Sequence, residues 1–544
     1  MSGPMGSQTA SNERGIALIS AMLVVLAVAV VAAGFILTAS GERAISSNVQ
    51  IARASLLAAD AGVRVSQQVL ANQAKAQLDS MTLNWSGSGP LITSPASLFP
   101  AGAQSFSSSN PKFSATATVV FADSTLLPNA QSYNYRYTIT STGSSGAQGR
   151  REVQSTGILR VSAERGSFAD YLCFTDVHLA PGGGPIWFTS SSQFDGRVHT
   201  NGQFRFAFQP FFQDLASSGN AKAWFYNNGN PVEIAGNSNG TIDVPLFFGG
   251  FERGAAAVPL PGNSFKQQAA ALGMTPVGVA PTNTDINNQL GTGAGSSPPP
   301  NGIYLVNNGT DVTGGIYVQG NLTQCLVSAD TVSNIQTYVL TQGGTSKTIV
   351  VDRAASSTSI TVGATTTVYF GVPEGVTYVN GSLQDLRGPD RVSGTVPPAI
   401  ARGTEMLFTA TGDVVVQSDL TCDDFADGTN VVGIYTSGGD VVIGPGAPNN
   451  MFLDAFVMAT GPDGAFRVEN YNSGAPRGAF HLRGGVIQRY YGEFFTFDGN
   501  GNVDSGYWRD FHYDRRGLIP PFFPTTNRFV ANQPSARTLA WKEI

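Results

Sequence analysis

The sequence predicts an α+β protein: a long N-terminal helix lies on an antiparallel sheet, and a large all-β head built of β-solenoid rungs follows. Three observations carry that expectation. Residues Ile16 to Leu37 form an apolar run whose only polar member is Ser20. After it come segments in which apolar and polar residues alternate strictly. Across 544 residues, 64 glycines and a charged fraction of only 12% fit turn-rich β structure better than a helical protein.

The first element is a membrane anchor. At about 1.5 Å per residue the run spans about 33 Å as a helix, enough to cross a hydrocarbon core of about 30 Å. A cleaved secretory signal has a shorter apolar stretch ending at a small-x-small site, and no such break precedes the next element. Ile45, Val49, Ala52, Leu56, Ala59, Val63 and Leu70 continue the helix as one apolar stripe, spaced mainly by alternating steps of four and three residues. Such a stripe needs a sheet to lie on. The helix is expected over 16–81, because Asn84 to Pro111 is rich in Ser, Gly, Pro and Asn.

The sheet is expected over 82–165. Phe113, Ala115, Ala117, Val119 and Phe121 alternate with polar residues; so do Tyr133, Tyr135, Tyr137 and Ile139, and then Val153, Leu159 and Val161. Period two with one polar face predicts three antiparallel strands covered on one side. Gly143 to Gly149 reads as the loop between the last two.

From about Phe168 short apolar segments separated by Gly, Asn and Asp recur. Gly314-Gly315-Ile316-Tyr317-Val318-Gln319-Gly320-Asn321-Leu322 matches Gly375 to Leu383, and Gly412 to Leu420 keeps the frame. These copies start 61 and then 37 residues apart, so some rungs must carry insertions. Stacked solenoid rungs need this pattern, because each buries its inward side chains only against its neighbours. A sandwich of irregular hairpins fits the same segments. The head is placed at 166–482, with an aromatic-rich β closing segment at 483–544.

Gly15 followed by Ile16-Ala17-Leu18-Ile19 and the long apolar helix resembles a type IV prepilin. Ser40-Gly41-Glu42-Arg43-Ala44 and Ala58-Ala59-Asp60-Ala61-Gly62 are similar to the N-terminal region of PilX-like minor pilins. The resemblance implies that residues 1–15 are a cytoplasmic leader, that a prepilin peptidase cuts between Gly15 and Ile16, and that Ile16 is then N-methylated. It also implies a single pass through a bacterial inner membrane, and later assembly with other major and minor pilins into a surface fibre. Most pilins carry a glutamate where this chain has Ser20. Its loss favours a tip or initiating subunit, which has no neighbour above it to supply a partner charge; the large K-type minor pseudopilins of type II secretion share the pattern. Pro185-Ile186-Trp187-Phe188, Phe194-Asp195-Gly196-Arg197, Gly484-Gly485-Val486 and Pro520-Pro521-Phe522-Phe523-Pro524 resemble parts of the large heads in the same group. Relatives there include DNA-uptake and adhesion components, so DNA and surface glycans are the expected ligand classes.

The residues themselves set limits on chemistry. A net charge of −6 gives no global attraction to nucleic acid or anionic lipid, so any such binding must be local. Cys173, Cys325 and Cys422 lack metal-site spacing, and Cys325 with Cys422 is the candidate disulfide. Asp423, Asp424 and Asp427 are the acids a solenoid glycosidase or lyase would use, but they sit in a Gly-containing turn sequence. His178, His199, His481 and His512 are scattered, and His199 reads as a turn residue before Thr200-Asn201-Gly202. No phosphate loop occurs, so a non-enzymatic protein without a cofactor is expected. Asp498, Asn500, Asn502 and Asp504 resemble the start of a calcium loop, yet Val503 stands where that loop needs Gly and Arg509 where it needs Glu; a hairpin turn is the preferred reading. Arg489, Tyr491, Trp508, Arg509, Arg515 and Arg516 combine guanidinium groups with rings, which suits either a ligand platform or an aromatic cap on the last rung.

Overall fold

The computed structural model describes residues 12–83, 98, 104–110, 113–126, 132–145, 149–426, 428–497 and 503–544. They fall into two compact units, Met1–Glu164 with Arg528–Ile544, and Arg165–Asn527.

In the first unit, helix α1 (Asn12–Leu83) runs for 72 residues, about 108 Å at the usual rise. Residues 16–50 are all exposed. Among the described residues this is the one helix long and apolar enough to cross a membrane. Beyond that stretch its apolar stripe is covered: Ala59, Val63, Leu70, Ala74 and Leu78 join Val119, Tyr135, Tyr137, Ile139 and Val153 in one core. Ile45 and Val49, read as part of the buried stripe, are 66% and 52% exposed, because the sheet does not reach them.

Strands β1 (Gln104–Asn110), β2 (Phe113–Leu126), β3 (Ser132–Ser145) and β4 (Gly149–Ser167) form an antiparallel meander. Thr525–Ala531 and Ser535–Glu543 both pair with β4. Among the described residues the sheet thus has six strands where alternation revealed three. Its last two come from the closing segment, which divides: residues up to Asn527 belong with the head and the remainder with this sheet.

Glycine sets the distance between helix and sheet. A Cβ on Gly143 would lie 2.2 Å from the Ala59 amide nitrogen and the Ser55 carbonyl oxygen; one on Gly62 would lie 2.3 Å from Ser141 Oγ. Gly143 lies inside β3 and Gly149 begins β4, so the expected Gly143 to Gly149 loop is shorter than it reads. Residues that read as turn formers are here the small ones that close packing demands.

The second unit is almost entirely β. Val312–Gln319, Val376–Asn380, Glu405–Ala410, Val431–Thr436, Met451–Ala459 and Pro476–Tyr490 pair in parallel, in that order. A second sheet stacks Leu383–Arg387, Val414–Val416, Val441–Ile443 and Phe466–Val468, also in parallel. Along the chain, successive strands alternate between the two sheets. Their inward side chains share one core that includes Leu383, Phe408, Ile434, Leu453 and Phe480.

The chain joins this stack beside its last strand. Cys173–Val177 pairs with Pro476–Tyr490, and Val198–Thr200, Ala216–Ser218 and Phe251–Arg253 extend the sheet from there. Phe265–Ala271 and Asn283–Leu290 are short helices that the strand patterning did not reveal. The second starts at a Thr282 and Asp285 capping box and ends at Gly291 with φ +64°.

The repeat frame holds for two copies and slips for the third. Tyr317 faces Tyr378 and Leu322 faces Leu383, as matched. Tyr378, however, faces Thr409, and Leu383 faces Val414, so Val414–Val416 lies beside Leu383–Arg387 in the second sheet. Strands of both sheets are short apolar runs ending at small residues, and the pattern fits either sheet. Much of the 61-residue spacing is taken up by antiparallel strands Ile335–Gln342, Thr345–Asp352, Ser357–Val362 and Thr365–Phe370.

Candidate functional site

Phe188, Phe194, Phe204, Phe206 and Phe212 pack edge to face and stacked within the early strands of the head. On this rigid base two clefts open. The wider, about 400 Å³, is lined by residues that include Trp187, Thr189, Phe208, Tyr226, Glu493 and Arg509. The narrower, about 210 Å³, is lined by residues that include Gln193, Tyr491, Trp508 and Phe511. Ser191, Ser192, Phe495 and Arg509 belong to both.

One wall is held by a buried carboxylate. Asp243, fully buried, accepts hydrogen bonds from the Phe208 amide at 2.8 Å, the Asn227 amide at 2.7 Å and Asn239 Nδ2 at 2.8 Å. Those bonds fix unusual backbone: Phe208 has φ +60°, Asn227 +46° and Asn228 +53°. Asparagine tolerates the left-handed region, but a phenylalanine there costs about 1–3 kcal/mol. The result places Phe208, 49% exposed, 6.2 Å from the Tyr226 ring, and Tyr226 edge-on to Trp187 at 5.4 Å. Arg205 lies between Trp187 and Trp224 at 5.9 and 5.6 Å, and burial lowers its pKa.

The six platform residues do not form one surface. Tyr491, Trp508 and Arg509 do meet at the narrower cleft, where Arg509 stacks on Tyr491 and Phe494 at 4.7 Å each and donates to the Gly492 carbonyl at 2.7 Å. Arg489 instead donates to the Gly461 and Thr460 carbonyls, Arg515 donates to the Asp195 carbonyl, and Arg516 binds Asp514 at 2.7 Å while lying 3.8 Å over the Phe425 ring. These three satisfy carbonyls and carboxylates inside the head.

The other candidates resolve differently. Cys325, on strand Gln324–Asp330, and Cys422, at an isolated bridge to Ile400, are both free, buried thiols of the apolar core, so the expected disulfide is absent; Cys173 is a third free thiol. Burial pushes Cys325 and Cys173 up to about 12, and Cys422 upward too. Asp423 and Asp424 both face Arg402 Nε, at 2.9 and 3.7 Å, and Asp427 lies outside the described residues. His199 is a buried strand residue between Ser217 Oγ at 2.8 Å and Asn201 Oδ1 at 3.0 Å, not a turn histidine. Asp498, Asn500 and Asn502 lie outside the described residues. Asp504 follows the start of strand Val503–Tyr513, which pairs antiparallel with Phe495–Phe497. Among the described residues no three metal-ligating side chains cluster.

Sequence reasoning passed over Phe208, Tyr226 and Asp243. Asn227-Asn228-Gly229 signals a turn, but nothing in residue type marks a phenylalanine for positive φ.

Residues 132–220 match a family model described only as a domain of unknown function, DUF4900. That stretch runs from β3 through Ala216–Ser218 and so takes in parts of both units. No curated protein and no solved structure matches.

Proposed function

We propose that this chain is a non-enzymatic minor pilin, cut after Gly15, whose β-solenoid head is displayed by a type IV pilus-like fibre, at its tip or where assembly starts. The observation that carries the reading is α1 itself. One continuous helix has an exposed apolar half and a second half packed on an antiparallel sheet, which is the arrangement an assembly helix requires. Ser20 in place of the pilin glutamate supports the terminal position. The head's two parallel stacks, with successive strands alternating between them, support the solenoid description.

N-terminal sequencing of fibre-associated protein tests this: a methylated Ile16 is expected, and an intact Met1 in assembled material would end the proposal. A second reading, a surface receptor within the same assembly, is favoured by the aromatic clefts. Its DNA-binding version is weakened because Arg515 and Arg516 are engaged internally. A membrane-anchored carbohydrate-active enzyme built on Asp423 and Asp424 is weakened by their shared pairing with Arg402.

A further inference from the structure

We propose that the two adjoining clefts bind a neutral oligosaccharide. A pyranose presents an apolar C–H face and a rim of hydroxyls, and recognition needs flat apolar walls beside paired donors and acceptors. The wide cleft supplies the rings of Trp187, Phe208 and Tyr226, and the narrow one supplies Trp508, 44% exposed. Thr189, Ser191 and Ser192 line the wide cleft, and each hydroxyl can both donate and accept. The Thr189 and Ser191 hydroxyls are hydrogen-bonded to each other at 2.8 Å, which leaves one hydroxyl proton and the remaining lone pairs for a sugar.

Charge narrows the class. Glu493 and Arg509 are the charged groups on the described walls, and they cancel. A polyanion would meet a carboxylate and a single guanidinium already committed to Gly492 and three rings. An uncharged polyhydroxylated chain meets no such conflict. The wide cleft, at about 400 Å³, also lies within the roughly 300–1,000 Å³ of ordinary small-ligand sites.

The strained, half-exposed Phe208 is the second observation. Asp243 holds it at the cleft with φ +60°, so the ring is placed before any ligand arrives. Ordering a flexible side chain on binding lowers affinity, and this wall avoids that loss.

The inference rests on the receptor reading of the head, not on cleavage at Gly15, so a failed binding experiment and a failed N-terminal result are separable. The full-length protein in detergent is titrated with cellohexaose, maltohexaose and chitohexaose by saturation-transfer NMR and calorimetry. At least one should bind. Phe208→Ala should weaken that binding about tenfold, as truncation of an aromatic anchor does. Ser191→Trp, at an exposed site in the wall common to both clefts, should abolish it. A thermal melt checks that Ser191→Trp still folds; if it does not, Phe208→Ala alone decides. The proposal is overturned if none of the three binds, if binding survives the substitutions, or if a dT oligonucleotide displaces the sugar.

Discussion

His178 is buried among Phe188, Phe204 and Tyr491, and neither ring nitrogen has a hydrogen-bond partner among the described residues. Burial first, then the charges of Arg205 and Arg509, lowers its pKa from 6.5 to about 3. Between those values the unfolded chain binds a proton that the folded chain refuses, so the folded state weakens as pH falls through that window. The melting temperature should therefore drop on acidification from pH 6.5 toward 3, and less steeply in His178→Phe; equal slopes would contradict this. Asp454 poses the opposite case. It is buried and bonded to Arg483 at 2.6 and 2.7 Å and to the Cys422 amide at 2.9 Å. Burial raises its pKa and Arg483 opposes that rise. Asp454→Ala should cost about 3 kcal/mol in chemical denaturation, the low end for a broken buried pair because the guanidinium is partly exposed.

Where the helix crosses the sheet, backbone rather than side chain limits approach. Gly143→Val should destabilise the first unit by about 3 kcal/mol or more, since neither the Ala59 amide nor the Ser55 carbonyl can rotate aside. Gly182→Ala, with nothing near its added carbon, should stay within about 0.5 kcal/mol by the same denaturation measurement. At this scale the sequence was legible wherever one face is buried: Tyr133, Tyr135, Tyr137 and Ile139 alternate because one side meets α1. It was less legible where two elements share a pattern: Val414 to Val416 fits the frame of Val376–Asn380 yet pairs with Leu383–Arg387. The cleft divides similarly. Tyr491, Trp508 and Arg509 were visible as an aromatic and cationic mixture in nearby segments of the chain. Arg516 pairs with Asp514 two residues away, but its further contact with Asn430 and the Asp195 partner of Arg515 are remote in the chain, so that part of their engagement was not visible. Phe208 was invisible because its geometry comes from Asp243 rather than from its own preference.

At the scale of the molecule, the head interrupts the sheet between β4 and Thr525–Ala531. The two crossings run side by side: Thr526 Oγ1 donates to the Gly166 carbonyl at 3.0 Å, and the Asn532 amide donates to the Ser162 carbonyl at 2.9 Å. Replacing residues 165–527 with a short Gly/Ser turn should leave the remaining helix and sheet folded; loss of a cooperative melt in that variant would show that the sheet needs the head. The order of synthesis gives the same topology a further meaning. Thr525–Ala531 and Ser535–Glu543 leave the ribosome long after β4, yet they complete the sheet begun beside the first helix. A chain that stops early, anywhere in the head, lacks those two strands and leaves β4 as an open edge. Translation through the head is thereby coupled to closure of the sheet that packs on α1, so products truncated within the head are marked by their own unfinished edge.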